Sequence, residues 1–301
     1  MNELTWTKNA QMGKYLYPVN QASARWQTLE TLTDKIEACA VPDYIIQELP
    51  TEELLELVLD YPLNINIFLY TSMADGIRNI ATYNPTLRAF LNRNDSAVAI
   101  QSFFNNYGQE ISDSDSWEIF LKKSIMRCLL EEFAPTNDEF NEIITNVQTP
   151  RGTNVPVYDR SSQEDLSEDK KKEFCKKMLD TYQGIVIMGE PTLKYNCHSF
   201  AWYEHSKRNT YWMNDPSAYW MDESYYFIGD SATADFQRIY YPGTNNEHSG
   251  IVYDCNGQFV ISKWGPGPLV IHKWNVCPYV FDTVNQSVKF FEENNKMPDF
   301  Q

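Results

Sequence analysis

The chain has 301 residues, of which 43% are hydrophobic and 22% are charged, a composition typical of a folded protein with two hydrophobic cores. Its formal net charge of −16 would repel the phosphate backbone of nucleic acids and the surface of anionic membranes. No run approaches the roughly 20 consecutive apolar residues of a membrane-spanning helix, so we expect neither a membrane span nor a nucleic-acid partner.

Residues 44–147 show the spacing of amphipathic helices, with apolar residues three and four positions apart behind polar starting residues. Four helices are predicted: one from Thr51 to Pro62, one from Ile67 towards Tyr83, one over residues 100–108, and one from Trp117 to near Pro135. Because a helix needs to bury its apolar face, this pattern predicts a helical bundle domain over residues 1–147.

The composition changes to Thr, Pro, Gly, Asn and Ser over residues 148–164. Pro150, Gly152 and Pro156 are spaced so that neither a helix nor a long strand is expected there. We therefore predict a domain boundary at this segment, with a second domain over residues 148–301.

The second domain begins with a lysine-rich helix predicted from Asp165 to Tyr182, after which the apolar pattern changes to that of strands. Four short β-branched runs predict a mostly antiparallel sheet, over residues 184–188, 250–253, 258–262 and 269–272. Asn256 and Gly257 predict a tight hairpin between the second and third of these strands.

Six cysteines are spread along the chain without a C-x-x-C pair, which argues against a zinc ribbon or a thioredoxin-like motif. A metal site combining Cys197, His198, Cys255 and Cys277 would have spacings that fit no common zinc pattern. We therefore expect no metal and no cofactor.

Cys197 is the strongest candidate for a catalytic nucleophile, because it follows an Asn and precedes a run with helical spacing that contains Phe200 and Ala201. A thiol at a helix N-terminus has a lowered pKa, since unpaired N–H groups stabilise the anion. His248, at the start of a predicted strand, could take the thiol proton, and Gly250 would leave room beside it. The alternative is that Cys197 only packs in a core.

The order of these elements resembles that of the NlpC/P60 and CHAP branch of papain-like cysteine hydrolases. The matching elements are Asn196-Cys197, Phe200-Ala201, Gly229-Asp230 and His248-Ser249-Gly250-Ile251-Val252. The motifs Y-N-C-H-S-F-A-W, H-S-G-I-V and S-K-W-G also resemble those of a group of bacterial proteins, most of them without an assigned activity. The resemblance implies an α+β fold, in which a papain-like domain carries an antiparallel sheet and a helix bearing the nucleophile.

The resemblance also implies a cysteine peptidase or amidase that cleaves an amide bond through a thioacyl-enzyme, with Cys197 attacking and His248 transferring the proton. The substrate would be a peptide, such as one derived from the bacterial cell wall, and the helical domain would position it or bind a protein partner. Such a protein would be secreted, periplasmic or on the cell surface after removal of a signal peptide, with a cytoplasmic location as the alternative.

The third, orienting residue departs from the pattern of these enzymes, which usually have His, Asn, Gln, Asp or Glu on the next strand. This chain offers Ser262, with His272 and Lys263 as alternatives. A two-residue turn in the hairpin would put His248 and Lys263 on one face, whereas a longer loop would put Ser262 there instead.

Residues near the nucleophile are expected to bind the oxyanion or the substrate. Tyr195 would donate to the oxyanion, as a tyrosine does in NlpC/P60 enzymes, the alternative being a buried ring whose hydroxyl is satisfied elsewhere. Asn196, Trp202 and Trp264 would contribute to the same site. The many aromatic residues between positions 202 and 227 fit equally a cleft that stacks on sugars or peptides and the core of a small β domain.

Two other functions fit the same residues. The first is a catalytically silent binding module on the same fold, suggested by the poor third residue. The second is transglutaminase-like acyl transfer, which shares the order of Cys and His. A reactive thiol would argue against the former, and amine incorporation would identify the latter.

Overall fold

A computed structural model describes residues 6–9, 11, 13–108, 110–112, 114–133, 143–243, 248–280 and 287–294. The chain divides into two compact units, Met1–Asp138 and Glu139–Gln301. Helices are the regular elements in the described part of the first unit, and the second unit adds antiparallel sheets, so the whole chain has an α+β architecture.

The first unit is built from α-helices and short 3-10 turns. The α-helices are α1 (Leu32–Ala38), α2 (Asp43–Glu48), α3 (Thr51–Leu59), α4 (Met73–Tyr83), α5 (Pro85–Leu91), α6 (Ser96–Tyr107) and α7 (Trp117–Phe133). The 3-10 turns are Trp26–Thr28 and Asn64–Leu69. Leu54, Ile80 and Ile100 are among the residues that fill the core between these helices.

The predicted second helix is interrupted in the structure. The segment Asn64–Leu69 is a 3-10 turn, and α4 starts only after Ser72, whose side chain accepts a hydrogen bond from the backbone N–H of Asp75. Such an N-cap satisfies a backbone donor that the helix cannot, so it sets where α4 begins. The predicted stop at Gly108 is confirmed, because this residue ends α6 with a φ of 75°, while Pro135 lies outside the described residues.

The second unit contains a seven-stranded and a three-stranded sheet. Its strands are β1 (Ile143–Gln148), β2 (Asn154–Asp159), β3 (Val186–Gly189), β4 (Tyr211–Trp212), β5 (Tyr225–Gly229), β6 (Arg238–Tyr241), β7 (His248–Asp254), β8 (Phe259–Lys263), β9 (Leu269–Lys273) and β10 (Lys289–Glu293). The large sheet has the antiparallel order β3-β9-β8-β7-β6-β10-β5, and the small sheet has the order β1-β2-β4. The other elements of the described part of this unit are the helices α8 (Glu168–Thr181) and α9 (Ala218–Met221), a π-helix (Ser199–Tyr203) and a 3-10 turn (Pro278–Val280).

The segment expected to lack strands forms one instead. Strand β2 pairs with β1, and Val147 lies opposite Val155, so the boundary predicted at residue 147 falls inside this hairpin. Pro156 is tolerated in β2 because the second neighbour, β4, pairs only with Tyr158 and Asp159. Pairing with β1 therefore outweighs the local preference of Pro156 against a strand.

The predicted hairpin forms between β7 and β8, but with a four-residue turn, residues 255–258, rather than a two-residue one. The Asp254 side chain accepts a hydrogen bond from the backbone N–H of Gly257 at 3.0 Å, and Gln258 has a φ of 60°. The pairing is irregular between Val252 and Asp254 and then places Ile251 opposite Ile261. This register decides which side chains face each other across the hairpin.

Candidate active site

The β7–β8 hairpin presents different polar residues on its two faces. Ser249 Oγ accepts a hydrogen bond from Trp202 Nε1 at 2.8 Å and lies 2.8 Å from His198 Nδ1, so Ser249 faces the helical segment 197–203. Continuing the register of β7 and β8 by two residues puts Lys263 opposite Ser249 on that face. His248 and Ser262 therefore share the other face, the arrangement expected for the longer loop.

Cys197 is the first residue of a short helical segment, residues 197–203, whose last five residues, Ser199–Tyr203, form a π-helix. Asn196 fixes the start of this segment with its side chain. Its Oδ1 accepts from the backbone N–H groups of Ser199 at 3.2 Å and Met213 at 3.1 Å, and its Nδ2 donates to Met213 O at 2.7 Å. The amide of Asn196 is thus committed to the backbone, and Cys197 stands at a helix start as predicted.

The thiol of Cys197 is only 2% exposed, and burial raises its pKa to about 12. The backbone N–H groups of Ser249 and His198 lower this pKa, as does the charge of Lys263. Burial outweighs them, because a thiolate loses its hydration inside the protein. The lowered pKa expected for a helix start is therefore absent, and the thiol is protonated in this conformation.

The imidazole of His248 is buried and stacks on the ring of Tyr279, with centroids 3.7 Å apart and an interplanar angle of 9°. Neither of its nitrogen atoms has a hydrogen-bond partner among the described residues, so no hydrogen bond joins it to Cys197. Burial, together with the charges of His272 and His198, holds its pKa well below 6.5. His248 is therefore a neutral base, and proton transfer from Cys197 would require a rearrangement.

The residues predicted for the orienting position form a network of their own. His272 Nδ1 lies 2.8 Å from the carbonyl oxygen of Lys273, which can only accept, so this nitrogen carries the proton. His272 Nε2 then accepts from Ser262 Oγ at 2.8 Å, and Ser262 Oγ accepts from Trp264 Nε1 at 3.0 Å. Neither Ser262 nor His272 hydrogen-bonds His248, because their polar atoms are satisfied by each other, by Lys273 and by Trp264.

The aromatic residues expected at the substrate-binding site are buried. Tyr195 and Trp202 are each 2% exposed and Trp264 is 0% exposed, so in this conformation the two tryptophans offer no surface to a substrate and Tyr195 offers almost none. Trp202 packs against Tyr225 and Phe291 in the core of the second unit. Burial of apolar area, rather than ligand contact, thus explains most of the aromatic residues between positions 202 and 227.

A groove of about 580 Å³ lies next to Tyr195, along the edge strand β3. Its lining is mixed in charge and consists of Asp165, Lys171, Ile187, Met188, Gly189, Glu190, Pro191, Thr192, Lys194, Tyr195 and Lys207. Volumes of this size hold small molecules or short peptide segments. The sequence gives no sign of this groove, because its walls come from the start of α8, an edge strand and two loops.

Replacing Asn196 by alanine is expected to destabilise the second unit by about 2–3 kcal/mol, because the backbone groups of Ser199 and Met213 lose their partner inside the protein. Equilibrium unfolding in urea would measure this loss. Asn196→Asp is the matched variant, since it keeps an acceptor for the two N–H groups but sets a carboxylate against Met213 O. Equal stability of wild type and Asn196→Ala would contradict the capping role.

Neither a metal site nor a membrane-spanning helix accompanies this site in the described part of the chain. Among the described residues, no three His, Cys, Asp or Glu side chains are grouped so that they could hold a metal ion. In the same part of the chain, no helix combines the length and the apolar character needed to cross a membrane. Comparisons with protein families, with curated proteins and with solved structures find no match to this chain.

Proposed function

We propose that the second unit is a cysteine hydrolase that cleaves a peptide amide bond, with Cys197 as its nucleophile. The observation that carries this proposal is the position of Cys197 at the start of the helical segment 197–203, which Asn196 caps and where the backbone N–H groups of Ser249 and His198 lower the pKa of the thiol. Such donors stabilise a thiolate and the negative charge that develops during acyl transfer. A cysteine that only fills a core needs no such donors.

The reaction would proceed in two steps. The Cys197 thiol gives its proton to His248, the sulfur attacks the amide carbon, and the amine leaves with that proton, so that a thioester remains on the enzyme. Water then gives a proton to the same imidazole and attacks the thioester, which releases the acid and restores the thiol. Before the first step His248, the first residue of β7, has to leave its stack on Tyr279 and move to the face of the hairpin that meets the segment 197–203, which requires a local rearrangement at the start of β7.

The substrate class is proposed from the NlpC/P60 and CHAP resemblance as a peptide, such as one from the bacterial cell wall, for a secreted or cell-surface protein. The groove next to Tyr195 supports this choice, because Tyr195 precedes the nucleophile by two residues and the groove follows β3, the strand at one edge of the large sheet. An extended peptide can pair with such an edge through its backbone.

A catalytically silent binding module on the same fold is the second candidate. It is favoured by the deep burial of the Cys197 thiol and by the absence of a hydrogen bond between Cys197 and His248. Cys39 is a suitable reference for deciding between the two candidates, because it is equally buried and its pKa is also raised to about 12 by burial.

Cys197 is expected to react with iodoacetamide at least about tenfold faster than Cys39 at pH 7.5, because a general base assists only the former. His248→Ala is expected to abolish this difference, and mass spectrometry of each cysteine peptide would measure it. Cys197→Ser identifies the modified peptide. Equal rates at Cys197 and Cys39 in the wild type would instead support the binding module.

A further inference from the structure

The groove next to Tyr195 has one wall that is held in place by hydrogen bonds. The Asp165 carboxylate, ahead of α8, accepts from the backbone N–H of Leu193 and from the hydroxyl of Thr192, each at 2.9 Å. The backbone N–H of Thr192 donates to Pro266 O at 2.9 Å. The loop that follows β3 is therefore preorganised, which lowers the entropic cost of binding a ligand against it.

The strand along this groove, β3, is one edge of the large sheet. It pairs with β9 on one side, and no strand in the described part of the chain pairs with its other side. Val186 and Met188 are 53% and 38% exposed, and no residue of β3 is charged. Natural proteins commonly protect an edge strand with charged side chains, so an uncharged edge beside a groove is suited to pairing with an extended peptide.

The groove has an excess of positive charge, although the chain as a whole is strongly acidic. Among the described residues that line it, three are lysines and two are carboxylates. Both carboxylates, Asp165 and Glu190, lie near Lys171 Nζ, at 3.6 and 3.9 Å. Lys194 and Lys207 have no carboxylate within ion-pair distance in the described part of the chain, so their charges attract an anion.

These two lysines also keep N–H groups for a ligand. Lys194 Nζ donates to the carbonyl oxygens of Ser161, at 2.9 Å, and Gln163, which leaves one of the three N–H bonds of its ammonium. Lys207 Nζ makes no hydrogen bond with the described residues. The stem of Lys207 lies beside the end of β3, because a Cβ added to Gly189 would be 3.4 Å from Lys207 Cε.

We infer that this groove binds an extended segment of the substrate peptide that carries an acidic side chain. The backbone of the segment lies along β3, Lys207 is the main donor to the carboxylate, and Lys194 adds to the positive charge. A hydrogen bond from an ammonium to a carboxylate is stronger than one between neutral groups, so the lysines select for Asp or Glu. This inference rests on the proposed function, because it assigns the groove to the peptide that Cys197 cleaves.

A library of N-acetylated heptapeptide amides, randomised at every position, would test this inference on the full chain of Cys197→Ser, which lacks the proposed nucleophile. The side chains of Asp and Glu are the only carboxylates in such a library. Peptides that contain them are expected to be enriched about fivefold among the retained peptides, as measured by mass spectrometry. Adding Lys207→Met is expected to abolish this enrichment, and adding Lys207→Arg to keep most of it.

Lys172→Met is the matched control, because Lys172 lies on α8 outside the groove, its side chain is 75% exposed, and its loss removes the same charge. It is expected to leave the enrichment unchanged. No preference for acidic peptides, or an equal preference with and without Lys207, would overturn the inference. By contrast, equal alkylation of Cys197 and Cys39 would remove the proposed hydrolase, while the library would still decide whether the groove selects acidic peptides.

Discussion

The free energy of unfolding of the second unit is expected to fall as the pH is lowered from about 6.5 to about 4. Burial lowers the pKa of His272 from 6.5 to about 4, so in this range an unfolded chain binds a proton at His272 and the folded chain does not. Proton uptake then favours unfolding, and stability is complete above about pH 6.5. His272 alone would cost about 3 kcal/mol by pH 4, and the buried His248 acts in the same direction.

Urea unfolding followed by tryptophan fluorescence at several pH values between 7.5 and 4.5 would measure this loss. His272→Gln is the matched variant, since it can keep polar contacts to Ser262 and Lys273 but does not titrate in this range. It is expected to show a flatter pH dependence than the wild type. A wild-type unfolding free energy that stays constant between pH 7 and pH 5 would contradict the burial of neutral histidines.

Replacing Trp264 by alanine is expected to destabilise the second unit by about 3–5 kcal/mol, among the largest losses for a single substitution in this unit. The indole is fully buried, and its ring centroid lies 4.9 Å from that of Tyr182 and 5.0 Å from that of His272. Its removal leaves a cavity and takes away the donor to Ser262 Oγ. No smaller side chain fills the space of this indole, so the residues around it would lose packing contacts.

Denaturant unfolding of Trp264→Ala and of a surface control would test this expectation. Tyr253→Ala is a suitable control, because Tyr253 is 52% exposed in the same sheet and its loss is expected to change stability by less than about 1 kcal/mol. Similar small effects for both variants would show that Trp264 is not part of a close-packed core. It would then become a candidate for the substrate surface originally expected of it.

Helical periodicity predicted much of the first unit, because its signals are local. Gly108 ends α6 as expected, and α7 begins at Trp117. By contrast, β5, β6 and β10 went unpredicted, since their residues do not alternate between polar and apolar. All four residues of β6, for example, are buried. Such short strands are stabilised by their neighbours in the sheet, which the local sequence does not specify.

At the candidate site, the sequence predicted the helix start at Cys197 but not the surroundings of the sulfur. The direction of its pKa shift depends on burial, and burial is a property of the whole fold. The orientation of His248 depends on the irregular pairing between Val252 and Asp254 and on a turn capped by the Asp254 side chain. The surroundings of Lys263 could not be predicted either, because its buried Nζ donates to backbone carbonyl oxygens of two loops, those of Thr192, Gly265 and Gly267.

The division of polar residues between the two faces of the β7–β8 hairpin also bears on misfolding. Side chains alternate along a strand, so a slip of β8 by one residue would exchange the positions of Ser262 and Lys263. The ammonium of Lys263 would then lie against Trp264 and His272 without its three carbonyl acceptors, at a cost of several kcal/mol. Lys263 therefore penalises the misaligned hairpin, and insertions into the turn at residues 255–258 should be tolerated poorly even though this turn lies far from Cys197 in the sequence.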